Sequence, residues 1–415
     1  MSRSSAHNAR LVFTGVGLAS GGIAFYIPLV LSTVGLEHSG TWAAAILFGT
    51  NLGRLVGSHF ASRHGVFTQR RGAIVGNILL EGIALFSMAF LSAPWMLVAV
   101  ATLAGLGSGL SFPGMKNALL RLPGVDSARV FAGLSLALRL GMALGYLAGA
   151  LTGAGHLVAV FSVLLAMFVC YAAAMDVALR DIDSQEPAAA TPAFAASTSA
   201  APAAPSLQVV TMLLLNGAFW FLTIQPSVTM SLYVPRYVPG LAVSTTYWVT
   251  TVTVLLLQMP VTRLARTPAA HVAFLGLGVA GMGASFVAMA CAGGALVPVL
   301  GASALLALAQ VFFAPSLDVL VSGEARACGL DTGKMLARQQ FWANLGMMSG
   351  SLFAGALFDE SVRRALPSLT WSVPALGTLL LLAGWAVAAL RRVPPGLVTA
   401  RPGPSGRRAR RENRR

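Results

Sequence analysis

The sequence predicts an all-α membrane protein with twelve transmembrane helices in two pseudo-symmetric six-helix bundles. Three observations carry that prediction. Hydrophobic residues make up 56% of the 415-residue chain and charged residues only 10%, too few to cover a soluble protein of this length with polar groups. Apolar runs of membrane-spanning length recur along the whole chain. Finally, Leu140-Gly141-Met142, followed by Gly145 and Leu147, returns in the second half as Leu345-Gly346-Met347, followed by Gly350 and Leu352. Two homologous halves around a central cavity are the architecture of a secondary transporter.

In chain order, the first six spans are expected at 11–34, 42–61, 73–93, 95–115, 129–152 and 158–178. The first is too long for a cleaved leader, and Pro28 sits inside it, so it reads as a retained helix. Residues 1–180 form the expected N-terminal bundle. A linker follows at 181–206; from 185 it is a Pro/Ala/Ser/Thr stretch without periodicity. The second set is expected at 207–232, 244–263, 271–291, 295–317, 335–358 and 370–390, within a C-terminal bundle of 207–392. The tail, 393–415, is rich in Pro, Gly and Arg and has the composition of a disordered segment.

Orientation follows from the basic residues. With the amino terminus in the cytoplasm, the outer loops hold only Arg236, Arg363 and Arg364 of the 28 Lys and Arg residues; Arg54 and Arg139 lie inside spans, and the rest are cytoplasmic. That bias places both termini inside. Trp42, Trp95, Trp248 and Trp371 fall at the outer starts of inward-running helices, as an interfacial belt would. The net charge of +15 is concentrated in the tail directly after a membrane helix, which fits an orientation signal and anionic-lipid contact rather than nucleic-acid binding. Arginine supplies every basic residue except Lys116 and Lys334, a bias of GC-rich bacterial genomes, so the expected location is a bacterial inner membrane. Cys170, Cys291 and Cys328 suggest neither a disulfide framework nor a metal cluster.

The loop after the second span reads Gly57-Ser58-His59-Phe60-Ala61-Ser62-Arg63-His64-Gly65 and ends in Arg70-Arg71-Gly72. It resembles the signature of the major facilitator superfamily between helices 2 and 3, with Ser62 where the family has Asp and Ser58 where it has Gly. The fifth span, Gly141-x-x-x-Gly145-Tyr146-x-x-Gly149-Ala150, resembles the antiporter motif of twelve-helix drug:proton antiporters, with Tyr146 in place of a Pro. The resemblance implies alternating access, a multidrug or natural-product efflux activity, proton exchange, and gating by Ser62, Arg63 and Gly65.

Read without the family, glycines at four-residue spacing let a neighbouring backbone approach closely. Gly141 and Gly145, with Gly346 and Gly350, are expected to form the interface along which the halves slide. Pro113-Gly-Met-Lys116 and Pro315-Ser-Leu-Asp318 end equivalent helices. Lys116 and Asp318 are therefore expected either to close the cytoplasmic side or simply to anchor it.

Ionisable residues inside the membrane are costly and usually functional. Arg54, Glu81 and Arg139 each lie roughly 12–15 Å from the cytoplasmic ends of their helices at 1.5 Å per residue. Glu81 is expected either to carry the coupled proton, with Arg54 as its modulator, or to form a structural ion pair with Arg54. Arg139 faces Asn344 in the repeat and is the first candidate for an oxyanion on the substrate. Asn216, Gln225, Gln258, Gln340 and Asn344 are expected to line the cavity or to tie helices together. Trp220, Phe221, Phe341 and Trp342 are expected to wall it or to face lipid.

No Gly-rich phosphate loop with Lys is present, no His pair has metal-ligand spacing, and no nucleophile elbow is visible. Direct use of ATP, a cofactor and enzymatic chemistry are not expected. The expected partners are a small-molecule substrate, protons and the lipid bilayer, with the chain a monomer. Proton-coupled export is the first reading. Proton-linked import of an anionic nutrient or chelate, and a non-transporting receptor or scaffold, are the alternatives.

Overall fold

The computed structural model describes residues 3–64, 66–120, 127–152, 157–185, 207–265, 267–327 and 332–390. Gly65, Cys328, most of the expected linker and the basic tail lie outside the described residues. The first half contains α1 (Arg3–Glu37), α2 (Gly40–Arg63), a single turn α3 (Val66–Gln69), α4 (Arg71–Ser87), α5 (Pro94–Leu120), α6 (Ser127–Thr152) and α7 (Leu157–Gln185). The second contains α8 (Leu207–Tyr237), α9 (Val243–Leu264), α10 (Pro268–Cys291), α11 (Leu296–Ala327), α12 (Thr332–Arg363) and α13 (Leu369–Leu390). Each of the twelve expected spans is a helix, which makes this a multi-pass membrane protein of two six-helix bundles.

Local sequence explains where several helices begin. Ser39 accepts from the Trp42 amide and starts α2, and Thr267 accepts from the Ala270 amide with Pro268 in the first helical turn of α10. Helix α7 runs to Gln185, five residues into the stretch read as linker. Its polar end is held by charge: Asp176 accepts from Arg71 of α4 at 2.5 and 2.9 Å and from Arg180, one turn on, at 3.2 Å.

Among the described residues, nine helices are long and apolar enough to cross a membrane by length and composition. Helices α2 and α9 do not reach that hydropathy, and both stand at the seam between halves, α2 against α12 and α9 against α6. A helix packed against protein needs less hydrophobicity to be stable in a bilayer than one that faces lipid.

Two features of the repeat differ from expectation. The shared glycines do not lie at the seam. A Cβ on Gly141 would collide with the Gly17 carbonyl oxygen and sit 3.0 Å from Gly17 Cα; on Gly145 it would meet Gly21. On Gly346 it would meet Gly217, and on Gly350 Phe221. Both pairs thus hold α6 on α1 and α12 on α8, inside each bundle. The duplicated face is the internal weld of each half, because backbone contact is what small residues make possible. Trp371 also leaves the expected interfacial belt. It is fully buried, packed edge-on to Tyr233 at 5.4 Å. Trp42 and Trp95 remain exposed.

Both termini of the described chain lie at one end of the bundles, called here the terminal end; the other is the distal end. The seam is tightly packed at the distal end, where the backbone of Gly40 at the start of α2 touches Gly355 of α12. At the terminal end α5 and α11 make no comparable contact across the seam among the described residues.

Candidate functional site

The site is positioned by α5. Its glycines at 107 and 109 press against backbone on either side: a Cβ on Gly107 would sit 3.0 Å from the Glu81 amide nitrogen, and one on Gly109 would sit 2.9 Å from Arg54 Cα. Helices α2 and α4 are thereby drawn to opposite flanks of α5, and Arg54 and Glu81 reach a common space. That space is a central cavity of ≈ 140 Å³ between the two halves. The first half contributes Asn51, Arg54, Glu81 and Tyr146 to its lining; the second contributes Ser227, Tyr247 and Met347.

Glu81 is buried, 6% exposed. Among the described residues no ion pair joins it to Arg54, although the guanidinium acts on the carboxylate through space and the Ser108 side chain is its polar neighbour. A desolvated carboxylate is stable when protonated or when matched by a cation. Glu81 has both options within one cavity, and Arg54 is not bonded to it. The structural ion pair considered from sequence is not made in this conformation.

Tyr146 of α6 and Tyr247 of α9 stack across the seam with ring centroids 5.1 Å apart. The Tyr247 hydroxyl donates to the Ser227 carbonyl of α8 and lies 2.8 Å from the Ser231 hydroxyl. One ring is thus anchored in the second half and the other rides on the first. Removing the anchoring hydroxyl by Tyr247→Phe is expected to lower unfolding stability by about 1 kcal/mol, read as a drop in the thermal midpoint of the purified protein.

Arg139 does not line the cavity. It sits seven residues before Tyr146 on the same helix, roughly 10 Å toward the terminal end at 1.5 Å per residue and on the same helical face. Tyr146 is its titratable neighbour. No carboxylate among the described residues forms an ion pair with Arg139.

Of the amides singled out in the second half, Asn216 ties two helices together. Asn216 Nδ2 donates to the Gln339 carbonyl at 2.7 Å, joining α8 to α12. Gln340 donates to Asn344 at 3.0 Å within α12. Gln225 is buried and reaches the Phe221 carbonyl of its own helix at 3.4 Å, leaving Oε1 unpartnered. Trp220 meets Phe219 edge-on, and Phe341 is exposed. None of these residues lines the cavity.

At the terminal end, Lys116 and Asp318 face each other across the seam, near enough to attract, but they do not pair. Lys116 lies over the Phe112 ring at 4.5 Å, and Asp318 accepts from Gln339 Nε2 at 2.6 Å. Arg63 is exposed in the last turn of α2, Ser62 lies within that turn, and the His64 amide closes it on the Phe60 carbonyl.

Among the cavity residues that sequence reading missed are Thr50, Asn51, Ser227 and Tyr247, with Tyr146 noticed only as a departure from a motif and Met347 only as part of the repeat. The available signal was polarity within apolar helices, as in Thr245-Thr246-Tyr247 and Thr50-Asn51.

Comparison with solved structures finds the same fold in membrane transporters across nearly the whole chain. A mutant of the peptide transporter POT in complex with sulfate superposes with a TM-score of 0.71 at 14% identity, over 92% of this chain and 94% of that one. The nucleoside transporter NupG gives 0.67 at 12% identity, over 93% and 98%. The POT family transporter PepTSo gives 0.65 at 13% identity, over 92% and 98%. No protein-family model and no curated protein sequence matches the chain.

Proposed function

We propose that the chain is a secondary active transporter that exports a small organic molecule from the cytoplasm of a bacterium in exchange for protons, by rocking its two halves about the central cavity. The observation that carries this reading is a buried carboxylate, Glu81, sharing with Arg54 a cavity whose wall is built from both halves. A proton on Glu81 is exchangeable for the nearby guanidinium, and any motion of the halves alters that balance. Both termini are assigned to the cytoplasm by the basic residues.

Substrate size is constrained by the cavity. Its ≈ 140 Å³ is well below the ~300–1,000 Å³ common for drug-sized ligands. Small polar solutes suit it better than bulky drugs, and the fold neighbours are named for peptides and nucleosides. Arg139, a half-buried cation with no acidic partner among the described residues, supports an anionic or oxyanion-bearing substrate that reaches the cavity from the terminal side. Lys116 and Asp318 would meet when that side closes.

The test is flux in inverted membrane vesicles under an imposed pH gradient, with small monocarboxylates, dipeptides, nucleosides and cationic dyes as probes. Proton-driven accumulation of one class inside the vesicles is expected. Accumulation only in right-side-out vesicles would reverse the direction, and flux of none would remove the transport reading. In the responsive assay, Arg139→Ala is expected to abolish flux at wild-type membrane abundance; retained flux removes Arg139 from the substrate path.

A further inference from the structure

The distal end of the seam holds a contact that neither motif anticipates. Helix α2 begins at Gly40, and the first amides of any helix lack intrahelical partners. Ser39 satisfies the Trp42 amide at 3.2 Å. The two preceding amides are satisfied from the other half of the protein. Asp359 of α12 accepts from the Gly40 amide at 2.8 Å through Oδ1, and from the Thr41 amide at 2.9 Å and the Thr41 hydroxyl at 2.6 Å through Oδ2.

Three features make this more than a surface contact. A carboxylate at a helix N-terminus meets the positive end of the helix dipole as well as the donors. The next residue, Glu360, pairs with Arg363 and Arg364 of its own helix, so the arginines are engaged and the Asp359 charge goes to α2. The backbones are also in contact: a Cβ on Gly355 would press on the Gly40 carbonyl group, 2.9 Å from its carbon, and one on Gly40 would sit 2.9 Å from Asp359 Oδ1.

The contact is also one-sided. The other seam joins α6 to α9, and the first half has no acidic residue between Asp126 and Asp176 to play the same part. The N-terminus of α9, preceded by Ala242, has no side-chain cap. Thr41 is exposed, so water can replace Asp359 on the freed amides when the halves part. A contact that water can replace is reversible.

We propose that Asp359 is the residue that latches the distal end shut, setting how often the cavity opens toward that side. Its consequence for flux rests on the transport reading, but the latch itself is a statement about conformation and is tested without substrate. Full-length protein in lipid nanodiscs, with Cys170, Cys291 and Cys328 replaced by Ser, is spin-labelled at His38→Cys and Leu366→Cys, two positions flanking the contact. Pulsed dipolar spectroscopy then reads the distance distribution across the distal seam.

Wild-type Asp359 is expected to give one dominant short population. Asp359→Ala is expected to raise a longer, open population by about tenfold, in line with charge-assisted hydrogen bonds. Thr41→Val, which removes only the hydroxyl donor, shifts it the same way by less. Distributions unchanged in both variants overturn the proposal; if Asp359→Ala does not fold, Thr41→Val decides alone. Opening in a protein that moves none of the probes would refute transport and keep the latch. Unchanged distances in a protein that does move one would do the reverse.

Discussion

Glu81→Gln is expected to abolish flux driven by a pH gradient while preserving substrate exchange at equal pH. Glutamine keeps the size and polarity of the side chain but carries no titratable proton. If Glu81 is the group that couples proton movement to rocking, the variant still binds substrate and still alternates; it no longer draws on the gradient. Arg54→Gln removes the competing cation and is expected to weaken gradient-driven flux less completely, since Glu81 can still take a proton. The two variants together separate a carrier from a structural pair. Loss of both exchange and driven flux in Glu81→Gln, with a lowered thermal midpoint, would indicate a structural group. Wild-type driven flux would take Glu81 out of the coupling altogether.

The second large effect is on stability. Gly141→Val is expected to separate α6 from α1, and Gly346→Val to separate α12 from α8. In each case a new side chain would be placed on top of a carbonyl oxygen of the facing helix, that of Gly17 or Gly217. Backbone cannot yield as a flexible side chain can, so a cost of about 3 kcal/mol, the upper part of the usual overpacking range, is expected in each half. The matched controls are Gly72→Ala and Gly76→Ala, whose added Cβ would meet nothing within 4 Å. Thermal unfolding of the detergent-solubilised protein should show large, similar losses for Gly141 and Gly346 and almost none for the controls. Normal stability with impaired transport would return these glycines to a sliding interface.

That pair of glycines shows how far the sequence could be read. The duplication was visible as letters, and it marked an equivalent helix in each six-helix bundle. What the duplicated face touches was not visible, because small-residue spacing describes one helix surface and says nothing of which neighbour fills it. The same limit applies to Arg139 and Glu81. Both were recognisable as buried charges from their depth along a span, since charge in an apolar run is costly wherever it faces. Only packing distinguished Glu81, which opens on the cavity, from Arg139, which lies below it behind Tyr146.

Asp359 was legible only as an acidic residue near a helix end. Its partners are 318 and 319 positions away, and nothing in the local pattern of α12 points to the start of α2. The asymmetric cavity wall, with Tyr146 against Tyr247, has the same origin in contacts between distant segments.

By itself the sequence determined the membrane class, the twelve helices and the two halves. Those follow from hydrophobicity and helical rise, which are properties of residues taken along one axis. The tertiary structure alone decided which helices form the seam, which polar residues share the cavity and which carboxylate crosses from one half to the other. Those depend on rotation of each helix about its axis and on its neighbours. Helices α2 and α9 carry the point: their polar residues Asn51, Arg54 and Tyr247 are explained by the cavity they face.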